Sequence, residues 1–130
     1  MNDTAGVGTI GVTDADRVDL TNLQRQIVHA TERVGMLKVD SARAALASVN
    51  PGVRVETHPT RLGSDNAGEL IGKYDLVADG SDNFETRYLL NDLCFRLEKP
   101  LAAAALSPFE GQISTFKPYL GAGHPCYRCL

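Results

Sequence analysis

The sequence predicts an α/β fold with a mostly parallel sheet flanked by helices, and two observations predict it. The short alternating run Thr9 to Thr13 and the apolar positions Val53 and Val55 read as strands, with a segment of helical period between them. The apolar run Tyr74 to Ala78 leads straight into a second helical segment, Asn83 to Glu98. Strands that alternate with helices imply crossover connections and hence parallel pairing.

The first strand carries Ile10 and Val12 in alternation and delivers Asp14 to its carboxyl end, the edge at which open parallel sheets bind ligands. Thr21 with Gln24 three residues on reads as a capping box that starts a helix. The N–H groups of Asn22, Leu23 and Gln24 would then face the same edge and could hold an anion. Asn22 and Arg25 would share a face of that helix, with Arg25 near its positive end. Lys38 repeats this placement in the first turn of the next helix. A cation there is disfavoured by roughly 0.3–1 kcal/mol, a cost that a nearby anion removes. Two such placements suggest a polyphosphate; the alternative is two solvated surface cations.

After Lys38, the spacing of Val39, Ala42, Leu46 and Val49 predicts an amphipathic helix closed by Asn50-Pro51-Gly52. The strand beginning at Val53 continues the sheet through VRVET. Thr60 to Ala67 reads as a polar loop in which Asp65 caps a short helix ending near Gly72. A buried strand, Tyr74 to Ala78, runs into Asp79-Gly80-Ser81-Asp82-Asn83, which gathers acidic and polar side chains at a strand end, as at Asp14. Asp82 can also be a helix cap with Glu85 three residues on, and the two roles are compatible. The helix that follows is expected to bury Phe84, Tyr88, Cys94 and Leu97, with Cys94 as core and Pro100 preventing continuation. Leu101 to Leu106 lies between prolines and is limited to strand length; Ile113 to Phe116 gives one more strand.

Composition excludes several classes. With 130 residues, 43% hydrophobic and 22% charged, the chain has enough apolar material for one folded domain, 1–130, and is not disordered. A net charge of -3 without basic runs argues against nucleic acid as a partner. No stretch approaches a membrane span and no leader is legible at the amino end, so no membrane partner and a cytoplasmic location are expected. Three cysteines, two of them as Cys126 and Cys129 in a terminal CxxC, fit a metal site in a reducing compartment better than a disulfide framework. CxxC is half of a zinc site. His124 could be a third ligand or polar surface.

Gly6, Gly8 and Gly11 spell GxGxxG, the dinucleotide fingerprint of Rossmann-type oxidoreductases. The motif needs a strand before it and a helix after it. Here a strand follows, so the glycines read as a helix-to-strand turn and an NAD-dependent oxidoreductase becomes the lesser alternative. A zinc-bearing interaction scaffold without catalysis is the other.

The word DLTNLQRQ, with Lys38 in the next helix, resembles the ThiF/MoeB/HesA signature D-x-x-x-x-[ST]-N-L-x-R-Q followed by a lysine. Matching words recur at Ser81-Asp82-Asn83, Glu110-Gly111-Gln112 and Cys126-Tyr127-Arg128-Cys129, so the resemblance extends from Ala5 to Leu130. These proteins are bacterial relatives of ubiquitin-activating enzymes. The resemblance implies a Rossmann-like nucleotide-binding fold, incomplete here, with the phosphate-cradling glycine loop on an earlier strand and helix and a second CxxC beyond Leu130. Residues 126–130 would then be the first half of the zinc site, Met1 to Thr4 a boundary or spurious start, and the chain a partial adenylation domain, inactive alone. The implied reaction is ATP-dependent adenylation of the carboxyl-terminal glycine of a small ubiquitin-like sulfur carrier, of molybdopterin or thiamine type, by an enzyme that pairs as a homodimer. The implied roles are Asp82 on Mg²⁺, Arg25 and Lys38 on phosphates with Asn22 assisting, and Asp14 on the ribose. Thr21, Leu23, Gln24 and Asn83 complete the nucleotide site.

Overall fold

The computed structural model describes residues 6–129, which leaves the boundary reading of Met1 to Thr4 and the terminal Leu130 outside the described residues. The chain divides into two compact units, the first running to Arg61 and the second starting at Leu62.

In the first unit, β1 (Thr9–Thr13) and β2 (Arg54–His58) pair in parallel with Ile10 opposite Val55 and Val12 opposite Thr57. The connection between them contains α1 (Lys38–Val49). Gly6 and Gly8 precede β1 and Gly11 lies inside it, so the GxGxxG letters do not join a strand to a helix. The expected stripe on α1 is only half used: Val39 and Ala42 are buried together with Ser41, whereas Val49 is 79% exposed. Two strands offer a narrow face, and the packing concentrates at the first turn, where Val18 is also buried. At the far end, Asn50 Oδ1 accepts from the Gly52 N–H at 3.0 Å and makes the expected turn.

The helix expected from Thr21 does not form. Residues Leu20–Asn22 make a single 3₁₀ turn capped by Asp19, whose Oδ1 accepts from the Thr21 N–H at 2.8 Å and from the Thr21 hydroxyl at 2.6 Å. An ionised carboxylate two residues upstream outcompetes the threonine oxygen as acceptor, so Thr21 donates where a capping box would need it to accept.

In the second unit, β3 (Val77–Asp79), β4 (Leu101–Leu106) and β5 (Gly111–Phe116) form a sheet in that order, parallel between β3 and β4 and antiparallel between β4 and β5. The alanine-rich β4 has the expected bounds: both its edges are paired, and Leu101 and Ala103 are buried. β3 is shorter and later than expected. Bonds from Lys73 N–H to Leu70 and from Tyr74 N–H to Ile71 extend the turn at the end of α2 (Ala67–Gly72), and Leu76 is left 53% exposed. Asn66 stands at the α2 cap position in place of Asp65, and its Oδ1 accepts from the Gly63 N–H.

Helix α3 (Phe84–Arg96) buries Arg87, Leu90, Asn91 and Cys94, not the expected stripe of Phe84, Tyr88, Cys94 and Leu97. Of those four only Cys94 is in the core; Phe84 is exposed and stacks on Tyr88 with ring centroids 6.1 Å apart. Asn83, not Asp82, caps the helix, its Oδ1 accepting from the Thr86 N–H at 2.8 Å. The core of this unit joins Leu90 and Cys94 to Ala67, Ile71, Leu101, Ala103 and Phe116. No helix among the described residues is long and apolar enough to cross a membrane.

Candidate functional site

The carboxyl end of β1 and the start of α1 are brought together by backbone pairing. Val18 N–H donates to Met36, Gly35 N–H to Val18 and Lys38 N–H to Asp16, each at 2.8–2.9 Å, around a turn in which Gly35 takes φ +86°. This places Lys38 Nζ 3.4 Å from Asp14 Oδ2 and 3.4 Å from Asp16 Oδ2, with the Lys38 side chain only 13% exposed. Asp14 is itself held, its Oδ1 accepting from the Asp16 N–H at 2.8 Å. The charge at the positive end of α1 is therefore met by two carboxylates of the same chain, which removes the need for an outside anion. Asp16 was not singled out by position, although it opens the DxxxxTNLxRQ word.

Arg25 is exposed, and its Nη1 donates to the Thr21 carbonyl at 3.2 Å. The N–H groups of Asn22 and Leu23 already donate to Asp19 and Leu20, so the anion-holding helix start expected at Asn22, Leu23 and Gln24 is absent. Behind Lys38, the fully buried Ser41 gathers two further side chains: His29 Nδ1 lies 2.9 Å from its hydroxyl and Arg33 Nη1 donates to its carbonyl at 2.6 Å. Burial, then the charges of Lys38 and Arg33, hold the His29 imidazole below its ordinary pKa against the pull of Asp14. Nothing in the local sequence of His29 signals this cluster.

In the second unit the end of β3 and the start of α3 form a corner around Ser81. The buried Asp79 accepts from the Ser81 N–H through Oδ1 at 2.8 Å, and the buried Arg87 donates from Nη2 to the Ser81 carbonyl. Asp79 Oδ2, Ser81 Oγ and Arg87 Nη1 are buried without a hydrogen-bond partner. Asp82, next in sequence, is exposed, and its carboxylate has no hydrogen bond or ion pair among the described residues. Freed from capping by Asn83, it suits a hard cation such as Mg²⁺, which keeps several waters and needs only one or two carboxylates. Cys94 is no candidate nucleophile: burial and the Asp79 charge push its thiol up to about 11.

The CxxC turn is docked on α3. Asn91 Oδ1 accepts from the Tyr127 N–H at 2.8 Å, and Asp92 takes both Arg128 Nε at 2.9 Å and Nη2 at 2.7 Å. Arg128 also lies 4.4 Å over the Tyr88 ring, and Tyr127 meets Tyr88 and Phe116 edge-on. The two sulfurs of Cys126 and Cys129 are 3.6 Å apart. Two thiolates on one tetrahedral zinc sit about 3.8 Å apart, so the pair fits two of four ligand positions. Burial raises the Cys126 thiol, but the Cys129 thiol, the N–H groups of Arg128 and Cys129, and Asn91 outweigh it and hold it below its ordinary pKa. His124 does not join the pair, and no group of three metal-ligating side chains exists among the described residues.

A sequence model of the ThiF family matches residues 3–130. The chain is 52% identical over 128 residues to a sulfur carrier protein adenylyltransferase of Thermus thermophilus, covering 97% of this chain and 47% of that protein. It is 50% identical over 126 residues to adenylyltransferase and sulfurtransferase MOCS3 of Culex quinquefasciatus, covering 97% of this chain and 28% of that one. The chain thus spans less than half the length of these relatives. Among solved structures, E. coli MccB with ATP superposes with a TM-score of 0.80 at 24% identity, and selenomethionine PaaA with 0.78 at 24%, each covering 97% of this chain and 38% of the other. At that identity the two structures establish the α/β fold and nothing about chemistry.

Proposed function

The chain belongs to the ThiF family, and on that premise we propose that it is part of an adenylyltransferase acting on a small ubiquitin-like sulfur carrier of molybdopterin or thiamine type, with both units parts of one adenylation domain. The match to the family over nearly the whole chain supports this reading, together with one relative named a sulfur carrier protein adenylyltransferase and another named an adenylyltransferase and sulfurtransferase. A carboxylate oxygen of the carrier's terminal glycine attacks the α-phosphorus of ATP; the new P–O bond forms as the bond to the bridging oxygen breaks, and pyrophosphate leaves. Both reactants are anions, so positioning and charge neutralisation supply most of the acceleration.

Lys38 and Arg25 would contact phosphate oxygens, with Asn22 assisting. Lys38 is already held between Asp14 and Asp16. Its ammonium can therefore turn to a phosphate only by leaving carboxylates it now neutralises, which releases Asp14 to accept from ribose hydroxyls. Asp82 would hold Mg²⁺, whose chemistry is to neutralise charge on the phosphates and the departing pyrophosphate. Cys126 and Cys129 would be two of four zinc ligands with a structural part, and the full-length enzyme is proposed to be a homodimer.

The test is carrier-dependent ATP–pyrophosphate exchange by the full-length protein. Asp82→Asn should lower the rate at least about 100-fold, the scale of several kcal/mol of lost charge stabilisation. A rate within threefold of the parent would remove Asp82 from the site. Thermal protection by NAD but not ATP would favour the oxidoreductase alternative, since a ligand of the native state raises apparent stability.

A further inference from the structure

We propose that Asp79 and Arg87 are positioning residues: they hold the two peptide groups on either side of Ser81 and so fix the direction in which the neighbouring Asp82 carboxylate points. The inference rests on the reading of Asp82 as the cation-holding group. Asp79 is 5% exposed and Arg87 8%, and each directs one arm at the same residue, Oδ1 to the Ser81 N–H and Nη2 to the Ser81 carbonyl. A third tie follows at once, since Asn83 Oδ1 holds the Thr86 N–H and anchors the far side of Asp82 to the helix. Asp82 is thus a free carboxylate on a backbone held before and after it.

A purely stabilising role explains this corner poorly. Burying a carboxylate and a guanidinium is costly unless they pair with each other or are fully hydrogen-bonded. Here Asp79 and Arg87 form no ion pair among the described residues, and each keeps a buried, unpartnered atom, Asp79 Oδ2 and Arg87 Nη1. Apolar residues at these two buried positions would be inside without that cost. What the charged pair supplies and apolar residues cannot is a fixed backbone on both sides of Ser81. A cation-holding carboxylate benefits from that arrangement because orientation set in advance need not be set at the moment of reaction.

The experiment compares the parent with Arg87→Met, which keeps apolar bulk, Arg87→Lys, which keeps charge but not the forked donor, and Asp79→Asn. Two readouts are taken on each. The first is the NMR order parameter of the Ser81 and Asp82 amides in the 130-residue chain, expected to fall from about 0.85 to below about 0.6 in Arg87→Met while the middle of α3 stays rigid. The second is the Mg²⁺ concentration for half-maximal pyrophosphate exchange in the full-length protein. It should rise at least tenfold in Arg87→Met and less in Arg87→Lys, with a smaller change in the rate at saturating Mg²⁺.

Order parameters unchanged from the parent would overturn the grip, whatever the enzyme does. Looser amides with a Mg²⁺ requirement within twofold of the parent would overturn its link to Asp82. A parent protein without exchange would count against the adenylation reading and this link together, leaving the amide measurement to judge the grip alone. If Arg87→Met does not fold, Arg87→Lys and Asp79→Asn are held to the same two outcomes.

Discussion

Lys38 shows how a residue anomaly can be real and yet have an internal cause. A lysine in the first turn of α1 stands against the helix dipole, and the sequence offers an outside anion as the remedy. The fold supplies Asp14 and Asp16, both 3.4 Å from its ammonium. Lys38→Ala would leave those two carboxylates facing each other with no counter-charge, in a setting where the lysine is largely buried. The expected cost is about 1–2 kcal/mol, read from the urea midpoint at low salt and shrinking when salt screens the carboxylates. A midpoint unchanged from the parent would return Lys38 to the solvated surface. The three cysteines separate in the same way. Cys94 is 1% exposed with its thiol pushed up to about 11, whereas Cys126 is held low and Cys129 is exposed. In the metal-free native chain at pH 7.5, a thiol reagent should therefore modify two cysteines quickly and the third only on unfolding.

Element by element, what was legible was what punctuation and alternation delimit. β1 keeps its expected bounds because Ile10 and Val12 alternate and Asp14 ends the run; β4 keeps them because Pro100 and Pro108 leave an alanine run no room to become a helix. The face of α3 was not legible, because two of its four buried positions are Arg87 and Asn91 and a search for apolar spacing selects the exposed Phe84 instead. Those polar residues are inside because each has a backbone to hold, Arg87 the Ser81 carbonyl and Asn91 the Tyr127 N–H. The cap of α3 misled for a related reason, since Asp82 and Asn83 are both good caps and only the backbone decides between them. Asn83→Ala should cost about 1 kcal/mol through the unsatisfied Thr86 N–H. Asp82→Asn should change stability by less than about 0.5 kcal/mol. The reverse order in chemical denaturation would restore Asp82 as the cap.

For the molecule as a whole, acid should act in two stages, one in each unit. His29 in the first unit has its pKa lowered, first by burial and then by Lys38 and Arg33, so the folded state resists a proton that the unfolded chain accepts. Its contribution is complete above the ordinary histidine value of about 6.5 and is lost as pH falls from there through the lower folded value. In the second unit the Arg128 guanidinium, with Asn91 and against burial, holds Asp92 below the usual carboxylate range. That contribution is present above the unfolded value of about 3.9 and is lost only as pH falls through the folded one. A plot of melting temperature against pH should therefore fall once between about pH 7 and 5 and again below about pH 4. His29→Asn should flatten the upper step and leave the lower, because Asn can still bond the Ser41 hydroxyl but cannot charge. Asp92→Asn should lower stability at pH 7 and flatten the lower step, because the Arg128 clamp that docks the CxxC turn on α3 is then already weakened. A single step in the parent, or an upper step that survives His29→Asn, would mean that the groups governing acid stability lie elsewhere in the chain.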